Sequence, residues 1–240
     1  MKIVIAHLYY DIMNLYGESG NVKALKKYLE EQGVKVTIKF VTIDESKEFD
    51  KYDIVYIGSG IEANRLLVLD DILKHKEEIE VAIENNKFFL CTGNSYELFG
   101  QSITDINKNK HKALGIFDYD AEDINFRIVD QAYFKTSLVS KPIIGFQNQG
   151  SVIKNNRKPL FRVISGTGSY PNSTGEGIHY KNFYGTYLIG PLLVRNPHFT
   201  KYLIKKIISS RSKKFKYKNK KDVMAERAYN NFIEKFITTK

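Results

Sequence analysis

At 240 residues, 42% of them AVILMFWYC and 27% charged, the chain has the size and composition of one globular domain, or of a domain with one sizeable extension. That excludes a disordered, collagen-like or coiled-coil chain, and a single cysteine excludes an internal disulfide framework or a cysteine-rich zinc site. The net charge of +10 is local: ten of the 37 Lys and Arg fall between Lys201 and Lys221, where there is no Asp or Glu, and the remainder balances 27 basic against 27 acidic residues.

The chain opens on KIVIAHLYY (Lys2 to Tyr10), which reads as a buried strand. Its apolar run is too short for a signal peptide, and no stretch approaches the ~20 apolar residues of a spanning helix, so the expected location is the cytoplasm. NVKALKKYLEEQG (Asn21 to Gly33) predicts a helix with Val22, Leu25 and Leu29 on one face, stopped by Gly33. KVTIKFVTI (Lys35 to Ile43) is a second strand and DIVYIGSG a third that ends in glycines. LLVLDDILKHKEEIEVAIENN is helical, and KFFLCTGNSYELFG is a fourth strand running into a helix. Strands alternating with helices predict an α/β fold, a parallel or mixed sheet flanked by helices in three layers. Ligands then bind beyond the carboxyl ends of the strands, after Gly58 and Leu90.

Further on, FRIVDQAYF, KPIIGFQNQG, PLFRVISGTG and GIHYKNFYGTYLIGPLL predict short strands added to the sheet. Asn196 and Pro197 introduce the helix FTKYLIKKIISS, RSKKFKYKNKK reads as a solvated linker, and DVMAERAYNNFIEKFITT as a last helix. The expected division is a domain over 1–210, followed by a basic linker and C-terminal helix over 211–240.

FFLCTGNSYELFG has the form of a nucleophile elbow, in which a strained turn presents a side chain to backbone N–H groups at a helix start. Here the chain resembles the class I glutamine amidotransferases of the cobyric acid synthase (CobB/CobQ-like) type, which are flavodoxin-like. Within them it resembles most the GatD glutaminase subunits of lipid II isoglutaminyl synthase. Their pattern I-C-G-G-Y-Q-x-L-G reads, without a gap, as Thr92 to Gly100. In order along the chain, NLYGESGN resembles N-L-Y-G-D-x-G-N, YIGSGIEANR resembles I-G-G-G-x-D-x-E-Q, GFQNQG stands for G-F-E-N-H-G, and EGIHYKNFYGTYLIGP resembles E-G-x-x-x-x-N-x-x-G-T-Y-L-H-G-P.

A glutaminase needs a thiolate, a His to activate it and protonate departing ammonia, and two N–H donors for the oxyanion. By this resemblance the nucleophile position holds Gly93 and the base position Ile189, neither of which can do that chemistry, and Glu97 replaces the elbow glutamine. Cys91 is the alternative nucleophile if the elbow slides by two residues, but Phe89 would then crowd a position that wants a small side chain; around Gly93 those positions are Cys91 and Ser95. His179 has a non-catalytic counterpart in the family, and no histidine has metal-ligand spacing. Gly58, Ser59 and Gly60, with the Asn94 N–H, are the candidate oxyanion donors. Arg127 is placed, by a match that requires one gap, near the family's ligand for a glutamine α-carboxylate.

The resemblance, with these departures, implies a catalytically degenerate, partner-binding or regulatory subunit in amidation of a peptidoglycan precursor, with a Mur-ligase-like ATP-dependent subunit as its partner in a heterodimer. The alternatives are an active glutaminase using Cys91 and a sensor of glutamine or a related amino acid. No cofactor or metal is expected. The run from Lys201 to Lys221 is a solvated helix end and linker, or a contact with an anionic membrane surface or an acidic partner; no specific nucleic acid is expected.

Overall fold

In the computed structural model, which describes residues 1–238, the first apolar run forms strand β1 (Lys2–Leu8). Helix α1 (Ser19–Glu31) turns Val22, Leu25 and Leu29 inward, as their spacing requires. Strands β2 (Lys35–Val41) and β3 (Ile54–Ile57) pair with β1 on either side, both parallel to it. The helical pattern that follows divides at a 3-10 turn, Leu73–His75, into α2 (Glu62–Ile72) and α3 (Lys76–Glu84). Strand β4 (Phe88–Thr92) is buried at every position. The helix expected after it is a 3-10 helix, Gly93–Phe99, buried at all seven residues. Having no solvent face it cannot form an amphipathic α-helix, and Ser95 ties the turn by donating from Oγ to the Ile57 and Thr92 carbonyls at 3.0 and 2.9 Å.

The chain next builds a second sheet rather than extending the first. Strands β5 (Ser102–Thr104), β6 (Lys110–Lys112), β7 (Asp120–Thr136), β8 (Val139–Lys154), β9 (Phe161–Ser165) and β10 (Gly175–Glu176) run in the order β10-β9-β7-β5-β6, with β8 on β7. Strands β11 (Ile178–Tyr180) and β12 (Phe183–Thr186) return to the first sheet, whose order is β11-β12-β4-β3-β1-β2. Only β11 is antiparallel there. Helices α4 (Leu192–Arg195), α5 (Pro197–Arg211) and α6 (Val223–Thr238) complete the described chain.

The first sheet divides the core. One face carries Leu8, Ile57, Phe89 and Cys91 against Tyr96 and the second sheet; the other carries Ile5, Tyr56 and Leu90 against α1 and α5. The stretch expected to be a solvated linker is only half so: Phe215 and Tyr217 turn in against the second layer while the lysines between and around them face solvent.

Candidate functional site

The carboxyl ends of β3 and β4 converge, as the alternating pattern predicts, and β12, parallel to β4, ends beside them. Gly93 is the apex of the turn after β4 and has φ +64°, the left-handed region that glycine adopts without strain. A side chain there would meet more than backbone strain. A Cβ on Gly93 would lie 2.3 Å from both Cβ and Oγ of Ser59, so the residue after Gly58 fills the space that a nucleophile's side chain would need.

The oxyanion loop is occupied as well. The Asn94 side chain accepts from the Gly60 N–H at 3.1 Å and donates to the Gly60 carbonyl at 2.8 Å, while Ser59 Oγ reaches Asn94 Oδ1 at 3.3 Å. One candidate donor is therefore already spent on a side chain. Ile189 is buried, and its N–H donates to the Phe146 carbonyl at 2.9 Å, an isolated bridge between the sheets. Cys91 is fully buried in β4, and burial pushes its thiol well above the usual range, which disfavours the thiolate that a nucleophile requires. The slid elbow is not formed. His179 stacks on Tyr184, and burial lowers its pKa. Among the described residues no group of three or more His, Cys, Asp or Glu is placed to hold a metal ion.

NLYGESGN is tied to the site strands. Asn14 Oδ1 accepts the N–H of Ser19, the first residue of α1, at 2.8 Å. Asn21 reaches the Tyr56 hydroxyl at 2.9 Å and the Leu193 N–H at 2.9 Å. The Glu18 carboxylate is buried against the Tyr56 and Thr92 hydroxyls and the Gly190 N–H, so it joins the turns after β4 and β12. Burial raises its pKa. The Tyr56 and Thr92 hydroxyls both donate to Glu18 Oε2 and also contact each other, so the three side chains form one buried polar cluster.

Beside this lies a cleft of about 450 Å³ whose wall is a bulge. Asp123 pairs with Ser151 and Ile128 with Gln149, so Ile124 to Arg127 on β7 oppose the single residue Gly150 on β8. The bulge turns Arg127 to Glu62 at the start of α2, with Nη1 and Nη2 donating to Oε1 at 3.1 and 3.0 Å. Gly150 permits the approach, since a Cβ there would lie 2.6 Å from Glu62 Oε1. Tyr16 stands near the same pair; burial raises its phenol pKa, Arg127 opposes this and Glu62 adds to it. A larger cavity, about 700 Å³ between Lys47 and Lys87, holds none of the sequence-predicted site residues.

Behind the cleft is a buried ionic cluster. Arg65 donates to both Asp123 oxygens at 2.9 Å and to Glu97 Oε2, and Glu97 Oε1 accepts from Ser151 Oγ and from the Tyr187 hydroxyl at 2.9 Å. Burial raises the Glu97 pKa against the pull of Arg65. Burial works against the Arg65 charge, but Glu97 and Asp123 raise its pKa. Sequence reasoning noted Glu97 and missed Arg65, although both stand at glutamines of the family patterns; opposite charges at two such positions were the available signal.

The sequence matches the CobB/CobQ-like glutamine amidotransferase domain over residues 4–197. The chain belongs to this family. It is similar to the GatD subunit of a glutamine-hydrolysing lipid II isoglutaminyl synthase in Streptococcus pneumoniae, 32% identical over 85% of this chain and 79% of that protein. To its counterpart in Staphylococcus aureus it is 31% identical over 85% of this chain and 84% of that one. Solved amidotransferases share the fold. A crystal structure of a glutamine amidotransferase matches with TM-score 0.53 at 12% identity over 85% of this chain and 98% of the other. The glutaminase domain of Trypanosoma brucei CTPS matches with 0.51 at 10% identity over 90% and 96%.

Proposed function

We propose that this protein is a GatD-like amidotransferase subunit that does not hydrolyse glutamine and acts through the surface it presents to a partner in lipid II amidation. The reading rests above all on Ser59, which takes the space of the nucleophile's side chain at an elbow whose apex is glycine. Ile189 in place of a base and the Asn94 amide on Gly60 support it. A Mur-ligase-like ATP-dependent subunit is the proposed partner. The burial of Cys91 speaks against a rearranged glutaminase.

Ammonia release from glutamine, measured with the chain alone and with the partner, tests this. The expected result is no turnover above background in either case, together with stable co-purification of the two chains. Glutamine-dependent ammonia release abolished by Cys91→Ser would overturn it.

A sensing role is supported by one observation, the cleft in which Arg127 is held by Glu62. Arg127 provides the guanidinium that an α-carboxylate needs, and Glu62 the carboxylate that an α-ammonium needs. Calorimetry with millimolar glutamine is expected to give heat that Arg127→Ala removes; no heat in the presence of the partner would sink the sensing role alone.

A further inference from the structure

The unbalanced positive charge is displayed on a fixed scaffold. From Lys214 to Lys218 burial alternates: Phe215 and Tyr217 pack inward, with Tyr217 under the Lys205 ammonium at 4.9 Å, and Lys214, Lys216 and Lys218 point to solvent. The Gln32 amide clamps this run by accepting the Lys218 N–H at 2.7 Å and donating to the Lys218 carbonyl at 2.9 Å. Asp222 then anchors the start of α6. It accepts the Ala225 N–H at 3.1 Å and the Tyr28 hydroxyl at 3.1 Å, and pairs with Lys27 at 2.5 Å. The neighbouring acid Glu226 is matched by Lys201 at 2.7 Å.

Two properties follow. Lys213, Lys214, Lys216, Lys218, Lys220 and Lys221 are all exposed, and among the described residues none is within salt-bridge distance of a carboxylate. Next to them Val223 and Met224, 66% and 76% exposed, are the most exposed large apolar side chains among the described residues. Lysines around an outward apolar pair match a surface that is anionic at its headgroups and apolar beneath. The inward turn of Phe215 and Tyr217 removes the rings on which single-stranded bases would stack.

We propose that this face binds anionic lipid at a membrane surface, with Met224 and Val223 entering the headgroup layer and the lysines from 213 to 221 supplying charge. No helix among the described residues is long and apolar enough to cross a membrane, so the contact is peripheral.

The test is sedimentation of the full chain with vesicles of phosphatidylcholine alone or with about 30 mol% phosphatidylserine, where about tenfold stronger binding to the anionic vesicles is expected. That binding should fall steeply between about 0.05 and 0.5 M salt. The exposed positions allow substitution without unfolding. Lys214→Glu with Lys216→Glu and Lys218→Glu should abolish the preference, and Met224→Asp should weaken binding about threefold or more at unchanged thermal melting. The charge-matched control Lys39→Glu with Lys110→Glu and Lys112→Glu should stay within about twofold of the parent. Equal binding to both vesicles, or equal loss in the control, would overturn the proposal. So would an unchanged Met224→Asp together with equally tight binding of single-stranded RNA.

Discussion

Placing a cysteine at Gly93 separates a turn that lost its nucleophile from one rebuilt around the loss. Two terms oppose Gly93→Cys. At φ +64° a side chain incurs backbone strain of about 1–3 kcal/mol. The 2.3 Å approach to Ser59 Cβ and Oγ is far inside contact distance, and forcing atoms into a packed interior costs about 1–3 kcal/mol more. Together these give a loss of about 2–6 kcal/mol. Ser59→Gly removes only the second term, at the expense of a long 3.3 Å hydrogen bond to Asn94 and some chain entropy. Gly93→Cys should therefore be less harmful in the Ser59→Gly background, with a coupling of about 1–3 kcal/mol. Urea denaturation of the parent, both single variants and the double variant reads this as shifts in midpoint at constant slope. A coupling indistinguishable from zero would refute the claim that Ser59 occupies the nucleophile's place. In the double variant with Ile189→His, trapping by a glutamine-analogue electrophile would show how much of the pocket survives.

Two further outcomes follow from buried charge. Arg65→Gln leaves Glu97 and Asp123 without their cation and should cost about 3–5 kcal/mol, while Arg65→Gln with Glu97→Gln should recover only the share due to Glu97, since Asp123 stays unpaired; equal losses by chemical denaturation would show that Arg65 and Glu97 do not act as a unit. Burial raises the Glu176 carboxyl to about 7 against hydrogen bonds from Thr186 and the Tyr187 N–H, so the folded chain holds a proton that the unfolded chain releases from about 4.5 upward. Its contribution to stability is present at low pH and lost as pH rises to about 7, by at most about 3 kcal/mol. Glu176→Gln should flatten this part of the profile between pH 5 and 8, and identical profiles in the two proteins would refute it.

What was legible in the sequence was what repeats locally. Apolar runs and 3.6-residue spacing place β1 to β4 and α1, and the glycine after Thr92 marks the elbow, because each signal is carried by neighbouring residues. The second sheet was less legible, since the bulge from Ile124 to Arg127 interrupts the alternation that would have joined FRIVDQAYF to the strand before it. The ionic cluster could not be read from spacing: Arg65 meets Glu97 and Asp123 across 32 and 58 residues, and only the packed fold decides which buried charges face one another. The inward turn of Phe215 and Tyr217 likewise depends on α1 and α5 lying beneath them.

The changes at the elbow form a matched set. On the proposed function the elbow has no thiol and no base, and Ser59 fills the space at Gly93 while Asn94 bonds the loop at Gly60. Where the family patterns carry two glutamines, able to hydrogen-bond without net charge, this chain carries Arg65 and Glu97, which neutralise each other only when both are present. Ile189 puts an apolar side chain at the base position while its backbone still links the sheets. Under that proposal these substitutions serve packing and polar pairing, since neither Gly93 nor Ile189 regains chemistry from them. Glu18 ties the turns after β4 and β12 to the start of α1, so the elbow and the NLYGESGN segment form one hydrogen-bonded unit.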